Sequence, residues 1–214
     1  PDAIWNMPFN GDGSHAGIAD NEEDFYLTIQ RGVMYKMKLD SNANRLGFQR
    51  MDPASCDSTK YMWMNPMEMD ANSDNIMYWA EGNRLWRNNN LNSIPYNNSH
   101  QKSDFAWEMF SDTLFPSTVN ISAISSSVNP PNILYLGTQN KRVYRIDNAH
   151  VGDPDIVQLA NFPTVGGSYC TDIAINPTNA NEIIVVFSNY GSYSLFHSID
   201  GGQNWNKIAG NLEQ

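Results

Sequence analysis

Residues 132–147 read NILYLGTQNKRVYRID: two apolar runs, around Tyr135 and Tyr144, on either side of a polar turn at Asn140. Short β-rich runs separated by Asn and Gly are hairpin punctuation. The same arrangement recurs in DFYLTIQRGVMYKMK (24–38), NIMYWAEGNRLWRNN (75–89) and EIIVVFSNYGSYSLFHSID (182–200). The first runs centre on Tyr26, Tyr78, Tyr135 and Val185, and the second on Tyr35, Trp86, Tyr144 and Phe196. Gly32, Gly82, Asn140 and Gly191 supply the turns, and a basic residue or histidine follows each second aromatic: Lys36, Arg87, Arg145 and His197.

Working outward, each hairpin is preceded by a further strand that ends in a polar turn: HAGIADNEED, PMEMDANSDN, ISAISSSVNPPN and TDIAINPTNANE, with Asp20, Asp70, Asn129 and Asn176 in matching places. A fourth run follows each hairpin, clearest in FAWEMF around Trp107 and NWNKIAG around Trp205. Four strands in about fifty residues, repeated, is the signature of a propeller blade. The expected fold is therefore all-β: about four four-stranded blades, at 18–60, 61–118, 119–168 and 169–214, within one propeller domain. Trp5, in AIWNMPF, matches Trp107 and Trp205, so residues 1–17 are expected to supply the outer strand of a preceding blade and a connection. A duplicated outer strand and two open apolar sides point to a piece of a larger propeller, of about six to ten blades.

Composition narrows the function. The 214 residues carry a net charge of −10, which disfavours nucleic acid and anionic lipid surfaces alike. Charged residues make up 17% and aromatics 12%, too aromatic for a disordered chain; polarity comes from Asn, Ser and Gly, the residues of turns. There is no apolar run of about 18 residues, so no membrane insertion is expected. The chain opens on Pro1 with no secretory signal in view, so loss of the true start is expected. Cys56 and Cys170 fit no metal spacing; they permit a disulfide, and two buried thiols are the simpler expectation. His15, His100, His150 and His197 are scattered, so neither a metal nor another cofactor is expected. NNNLNSIPYNNSHQKSD (88–104) reads as a surface loop.

Residues 198–205, SIDGGQNW, resemble the Asp-box, S-x-D-x-G-x-x-W, with Ser198, Asp200, Gly202 and Trp205 in its four defining places. The chain resembles BNR/Asp-box propellers over nearly its whole length, a group that includes sialidases, the sortilin ectodomain, xyloglucan-specific endoglucanases and secreted bacterial surface proteins. Elsewhere the box is degraded, leaving Asp40 in KLDSNANR and Asp147 in RIDNAH. The resemblance implies a structural turn between third and fourth strands, on the periphery and away from the funnel where ligands bind. It also implies a secreted or cell-surface location, such as the outer surface of bacteria that use type IX secretion.

The catalytic branches of the family fit poorly. No early R-I-P motif is present, and Arg87 and Arg145 hold equivalent repeat positions, which points to a structural role rather than a sialidase triad. In YLTIQRGVMYKM, which resembles the endoglucanase motif with Tyr26 and Tyr35 in register, Gln30 stands where that branch has its catalytic Asp, and Gln139 stands there in the third blade. An amide cannot exchange the proton that glycosidic cleavage needs. Glu81 is an isolated carboxylate near the second turn. The candidate ligand-binding residues are Asp12 and His15 in FNGDGSHAG, Tyr61 and Trp63 in KYMWMNP, Glu81, and Tyr169 in GGSYC. Aromatic faces beside polar side chains suit sugar binding by stacking and hydrogen bonding. The expected function is a non-catalytic module recognising protein or glycan through funnel and rim, partnered by further blades of the same or another chain. A glycoside hydrolase completed by other blades and a sortilin-like peptide receptor are the alternatives.

Overall fold

The computed structural model describes residues 10–20, 22–111, 118–159, 169–188 and 193–213. Trp5 and the turn at Gly191 lie outside them. Sixteen strands form four antiparallel sheets, each ordered as in the chain. The first holds β1 (Gly13–Ile18), β2 (Asp24–Ile29), β3 (Val33–Leu39) and β4 (Arg45–Arg50). The second holds β5 (Met67–Asp70), β6 (Ser73–Glu81), β7 (Arg84–Asn88) and β8 (Trp107–Met109). The third holds β9 (Ile121–Ser126), β10 (Ile133–Thr138), β11 (Val143–Asp147) and β12 (Val157–Gln158). The fourth holds β13 (Tyr169–Asn176), β14 (Asn179–Ser188), β15 (Leu195–Ser198) and β16 (Asn206–Lys207). No α-helix occurs among the described residues, and no helix is long and apolar enough to cross a membrane.

In the second and third sheets the hairpin strands are apolar on both faces because both faces are packed, as in any stacked sheet. Tyr26 and Met34 of the first sheet meet Met77, Trp79, Trp86 and Trp107 of the second. Tyr78, Ala80 and Leu85 of the second meet Leu134, Leu136 and Tyr144 of the third. Tyr135 and Val143 of the third meet Ile183, Val185, Phe187 and Phe196 of the fourth. Cys56 and Cys170 are free buried thiols in the first and last of these seams, so no disulfide joins them.

Register corrects one position of the repeat. Tyr26 lies opposite Lys36, Tyr78 opposite Arg87 and Tyr135 opposite Arg145, but His197 lies opposite Ile184. Ile184, not Val185, thus holds the tyrosine place in the fourth repeat. A shift of one residue turns a side chain to the other face, which is why Val185 is in the third seam with Tyr135.

The cations of the repeat tie each sheet to the next. The buried Lys36 ammonium donates to the carbonyls of Leu91, Asn92 and Ile94 and pairs with Asp24 at 3.3 Å. The Arg87 guanidinium, also buried, donates to the carbonyls of Ala149 and Gly152 and to Glu108. Arg145 donates to Asn181 Oδ1 at 2.7 Å. The 88–104 segment is not a plain surface loop: it returns to the edge of β4, where Asn98 N–H donates to Phe48 O, Arg50 N–H to Ser99 O, and His100 Nδ1 meets Tyr35 Oη at 2.8 Å.

Candidate functional site

Blade-like sheets present their β2–β3 type turns and their sheet-to-sheet connections at one end, and an opening lies there between the first two sheets. The β2–β3 turn, Gln30–Gly32, carries Arg31 at φ 59°, ψ 37°, and its N–H donates to Trp63 O at 2.8 Å. The connection from β4 to β5 is pinned from within. Asp57 accepts from Thr59 N–H and Oγ1–H (3.0 and 2.6 Å), and Asn65 accepts from Met62 N–H while donating to Ala80 O. The thiol, phenol and indole of Cys56, Tyr61 and Trp79 are buried beneath it.

Between turn and connection lies a cavity of about 600 Å³ lined by Arg31, Val33, Arg50, Ser58, Thr59, Tyr61 and Trp63. That volume is within the roughly 300–1,000 Å³ of small-ligand sites. Trp63 is 55% exposed, and the Arg31 guanidinium sits 5.6 Å from its ring centroid, within cation–π reach. Arg50 makes a two-pronged contact with the fully buried Asp52, Nε to Oδ1 at 2.7 Å and Nη2 to Oδ2 at 3.1 Å. Lys102 approaches the same carboxylate at 3.7 Å and lies 5.3 Å over the Tyr61 ring. Among the described residues no carboxylate lines the cavity and none pairs with Arg31.

The sequence-derived candidates separate. Trp63 and Tyr61 both line this cavity, Trp63 as an open ring and Tyr61 as a buried one packed edge-on to Trp79 at 5.5 Å. Glu81 is not isolated: buried, it accepts from Asp57 N–H at 3.0 Å and from Trp86 Nε1–H at 2.8 Å, and so clasps the connection to the second sheet. Asp12 holds the Gln30 amide: its N–H donates to Gln30 Oε1 at 2.8 Å while Gln30 N–H donates to its carbonyl. Gln139 and Asn120 repeat this clasp in the third sheet, at 3.0 Å through side chains and backbone. The amides at the carboxylate place of the hydrolase motif are thus occupied in anchoring inner strands. Tyr169 begins β13 and is exposed, outside the cavity lining.

His15, on β1, is not at the cavity. Its backbone exchanges hydrogen bonds with Thr28 Oγ1 (2.7 and 3.0 Å), and burial lowers its pKa, partly offset by Asp172 of β13. The same Asp172 acts on Glu68 of β5, so the first strands of separate sheets share one electrostatic space. Burial raises Glu68 to about 7, against the lowering effect of Ser126 N–H and Oγ–H, both 3.0 Å from Oε1. Sequence reading missed Arg31, Arg50 and Glu68. The available signal was an arginine beside Gly32 in a turn that uses Gly82 and Asn140 elsewhere, and an acid set between two methionines in PMEMD.

At the opposite end, residues 199–205 join β15 to β16. Asp200 accepts from Ser198 Oγ–H (2.8 Å), Asn204 N–H (2.9 Å) and Asn204 Nδ2–H (2.7 Å), which hold its carboxyl down to about 2. Trp205 Nε1–H donates to Gly202 O, and the ring packs on the third seam. Asp40 and Asn44 repeat the carboxylate–asparagine pair at 2.8 and 3.0 Å in the β3–β4 turn.

No protein-family model and no curated protein sequence matches the chain. Among solved structures it is similar to the GH74 xyloglucanase of Xanthomonas campestris, with a TM-score of 0.63 at 16% identity over 94% of this chain. It is also similar to YCF48 from Cyanidioschyzon merolae, with a TM-score of 0.58 at 12% identity over 99%. The chain has a β-propeller fold. Its four sheets are blades, and it spans 31% of the xyloglucanase chain and 63% of the YCF48 chain. Identities this low speak for the fold and leave activity to the site.

Proposed function

We propose that this propeller is a non-catalytic, glycan-binding module that acts outside the cell or on its surface. The observation that carries the reading is the cavity between blades one and two, where an open indole, two guanidinium groups and two hydroxyls converge with no carboxylate among the described lining residues. An open aromatic face with donors beside it is what sugar recognition uses. The amides of Gln30 and Gln139, tied to Asp12 and Asn120, support binding without hydrolysis. The Asp-box-like turn around Asp200 supports kinship with BNR-type propellers and, being bound up in its own hydrogen bonds, a role in architecture. The test is calorimetry against oligosaccharides, paired with a reducing-end assay. Saturable binding without new reducing ends is the expected result; turnover of a bound oligosaccharide would defeat the non-catalytic reading.

A second reading, as a scaffold that receives further blades, draws on the outer face of the fourth blade. Ile184, Val186, Leu195 and His197 are half-exposed there, and a hollow of about 190 Å³ opens beside Ala174, Glu182 and His197. In blades one to three the corresponding face is the one packed on the next blade.

A further inference from the structure

We propose, building on the glycan-binding reading, that the cavity between the first two blades selects acidic sugars and seats a uronate carboxylate between Arg31 and Arg50. The protein as a whole is anionic, at −10, yet this cavity is lined by two arginines with no carboxylate among its described lining residues. Arg50 is fixed through Nε and Nη2 on buried Asp52, and Lys102 approaches the same carboxylate at 3.7 Å. Arg31 brings a further charge with no carboxylate partner among the described residues, and Trp63 orients it from 5.6 Å. A planar carboxylate is the anion a guanidinium fork matches best.

The backbone supplies an independent observation. Arg31 occupies the left-handed region at φ 59°, where the second blade places Gly82 at φ 57° in its own turn. A non-glycine side chain there is disfavoured, and the third blade also carries a cation in this region, Lys141 at φ 67° in its β10–β11 turn. The guanidinium is carried to the cavity mouth at a conformational cost that glycine would avoid. Ser58 and Thr59 line the same space, the Thr59 hydroxyl proton being given to Asp57, and Trp63 remains 55% exposed beside Arg31, which leaves indole surface for the C–H face of a ring.

The probes are trigalacturonate, its methyl ester, which keeps the rings and loses the charges, and inorganic phosphate. The acid is expected to bind about tenfold or more tightly than the ester, the scale of a charge-assisted contact. Arg31→Gly is expected to abolish that preference while remaining folded, because glycine adopts φ 59° freely; its melting temperature is the control. Trp63→Ala is expected to weaken acid and ester together. Equal affinity for acid and ester would overturn the acidic-sugar inference and leave glycan binding standing. Binding of neither, nor of neutral oligosaccharides, would overturn both. Phosphate that competes as well as the sugar acid would reduce the site to an anion hole and also defeat the inference.

Discussion

Arg31 and Glu68 each hold a state that the unfolded chain would not choose, and both conflicts are measurable in single side chains. For Arg31 the conflict is backbone geometry, φ 59° on a residue with a Cβ. Arg31→Gly is expected to raise the unfolding free energy by up to about 1 kcal/mol, the relief of left-handed strain less the entropy glycine gains when unfolded. A loss of more than that amount in a urea titration would mean that the guanidinium is a structural prop. For Glu68 the conflict is protonation. Its folded pKa of about 7 is above the ordinary 4.5 of a glutamate, so the folded state binds the proton more tightly. Its contribution is therefore fully present below pH 4.5 and is lost as pH rises through 7. Glu68→Gln keeps an oxygen for the Ser126 donors and removes the titration. It is expected to match the parent near pH 4 and to exceed it by up to about 3 kcal/mol at pH 9. Parallel stability–pH curves for the two proteins would refute the assignment.

At the scale of elements, the cations that follow the second aromatic of the first three repeats act as cross-seam bolts. Arg87 is 2% exposed, with donors on two carbonyls of the third blade and on Glu108. Arg87→Ala strands buried acceptors and is expected to cost about 3–5 kcal/mol by urea unfolding. A change under 1 kcal/mol would show that water replaces the guanidinium. In the β15–β16 turn, Gly201 has φ 72° and an added Cβ would stand 2.6 Å from Arg145 Nη1. Gly201→Ala is thus expected to lower the melting temperature and to free Arg145 from Asn181, which a double-mutant cycle with Asn181→Ala would register as coupling. These elements also mark what the sequence conveyed. The hairpins were legible because their strands are apolar on both faces, leaving runs that only short turns interrupt. The fourth repeat was misplaced by one residue because Ile183, Ile184, Val185 and Val186 are all apolar, and only the pairing of Ile184 with His197 decides which face each takes. The cavity was half legible. Trp63 and Tyr61 stood out as aromatics, whereas Arg50 reaches it from the end of β4 and Thr59 through a connection, residues 51–66, whose path no periodicity encodes.

For the whole molecule, stability in a stack of blades is approximately a sum of nearest-neighbour seams. The first and fourth blades each have one neighbour in this chain, but they are not equally held. The 88–104 segment of blade two reaches back over blade one, with Lys36 bound to three of its carbonyls, Tyr96 Oη–H donating to Asp24, and Ser99 bridged to Gln49 on the β4 edge. Blade four is held by its apolar seam, by Tyr135 Oη–H to Ala180 O, by Arg145 to Asn181 and by Ser122 Oγ–H to Cys170 O. Its outer face keeps Ile184, Val186 and Leu195 half-exposed. Blade four is therefore expected to open at a lower free energy than blade one, with β14 and β15 amides exchanging before those of β2 and β3 in native-state hydrogen exchange. Equal protection in the two hairpins would mean that the clasp from blade two adds nothing. Substituting Tyr96→Phe and Lys36→Met together is expected to bring β2 and β3 exchange toward that of β14 and β15 while leaving the latter unchanged. Acceleration of all four strands alike would instead show that the stack unfolds as one unit and that its seams are not separable.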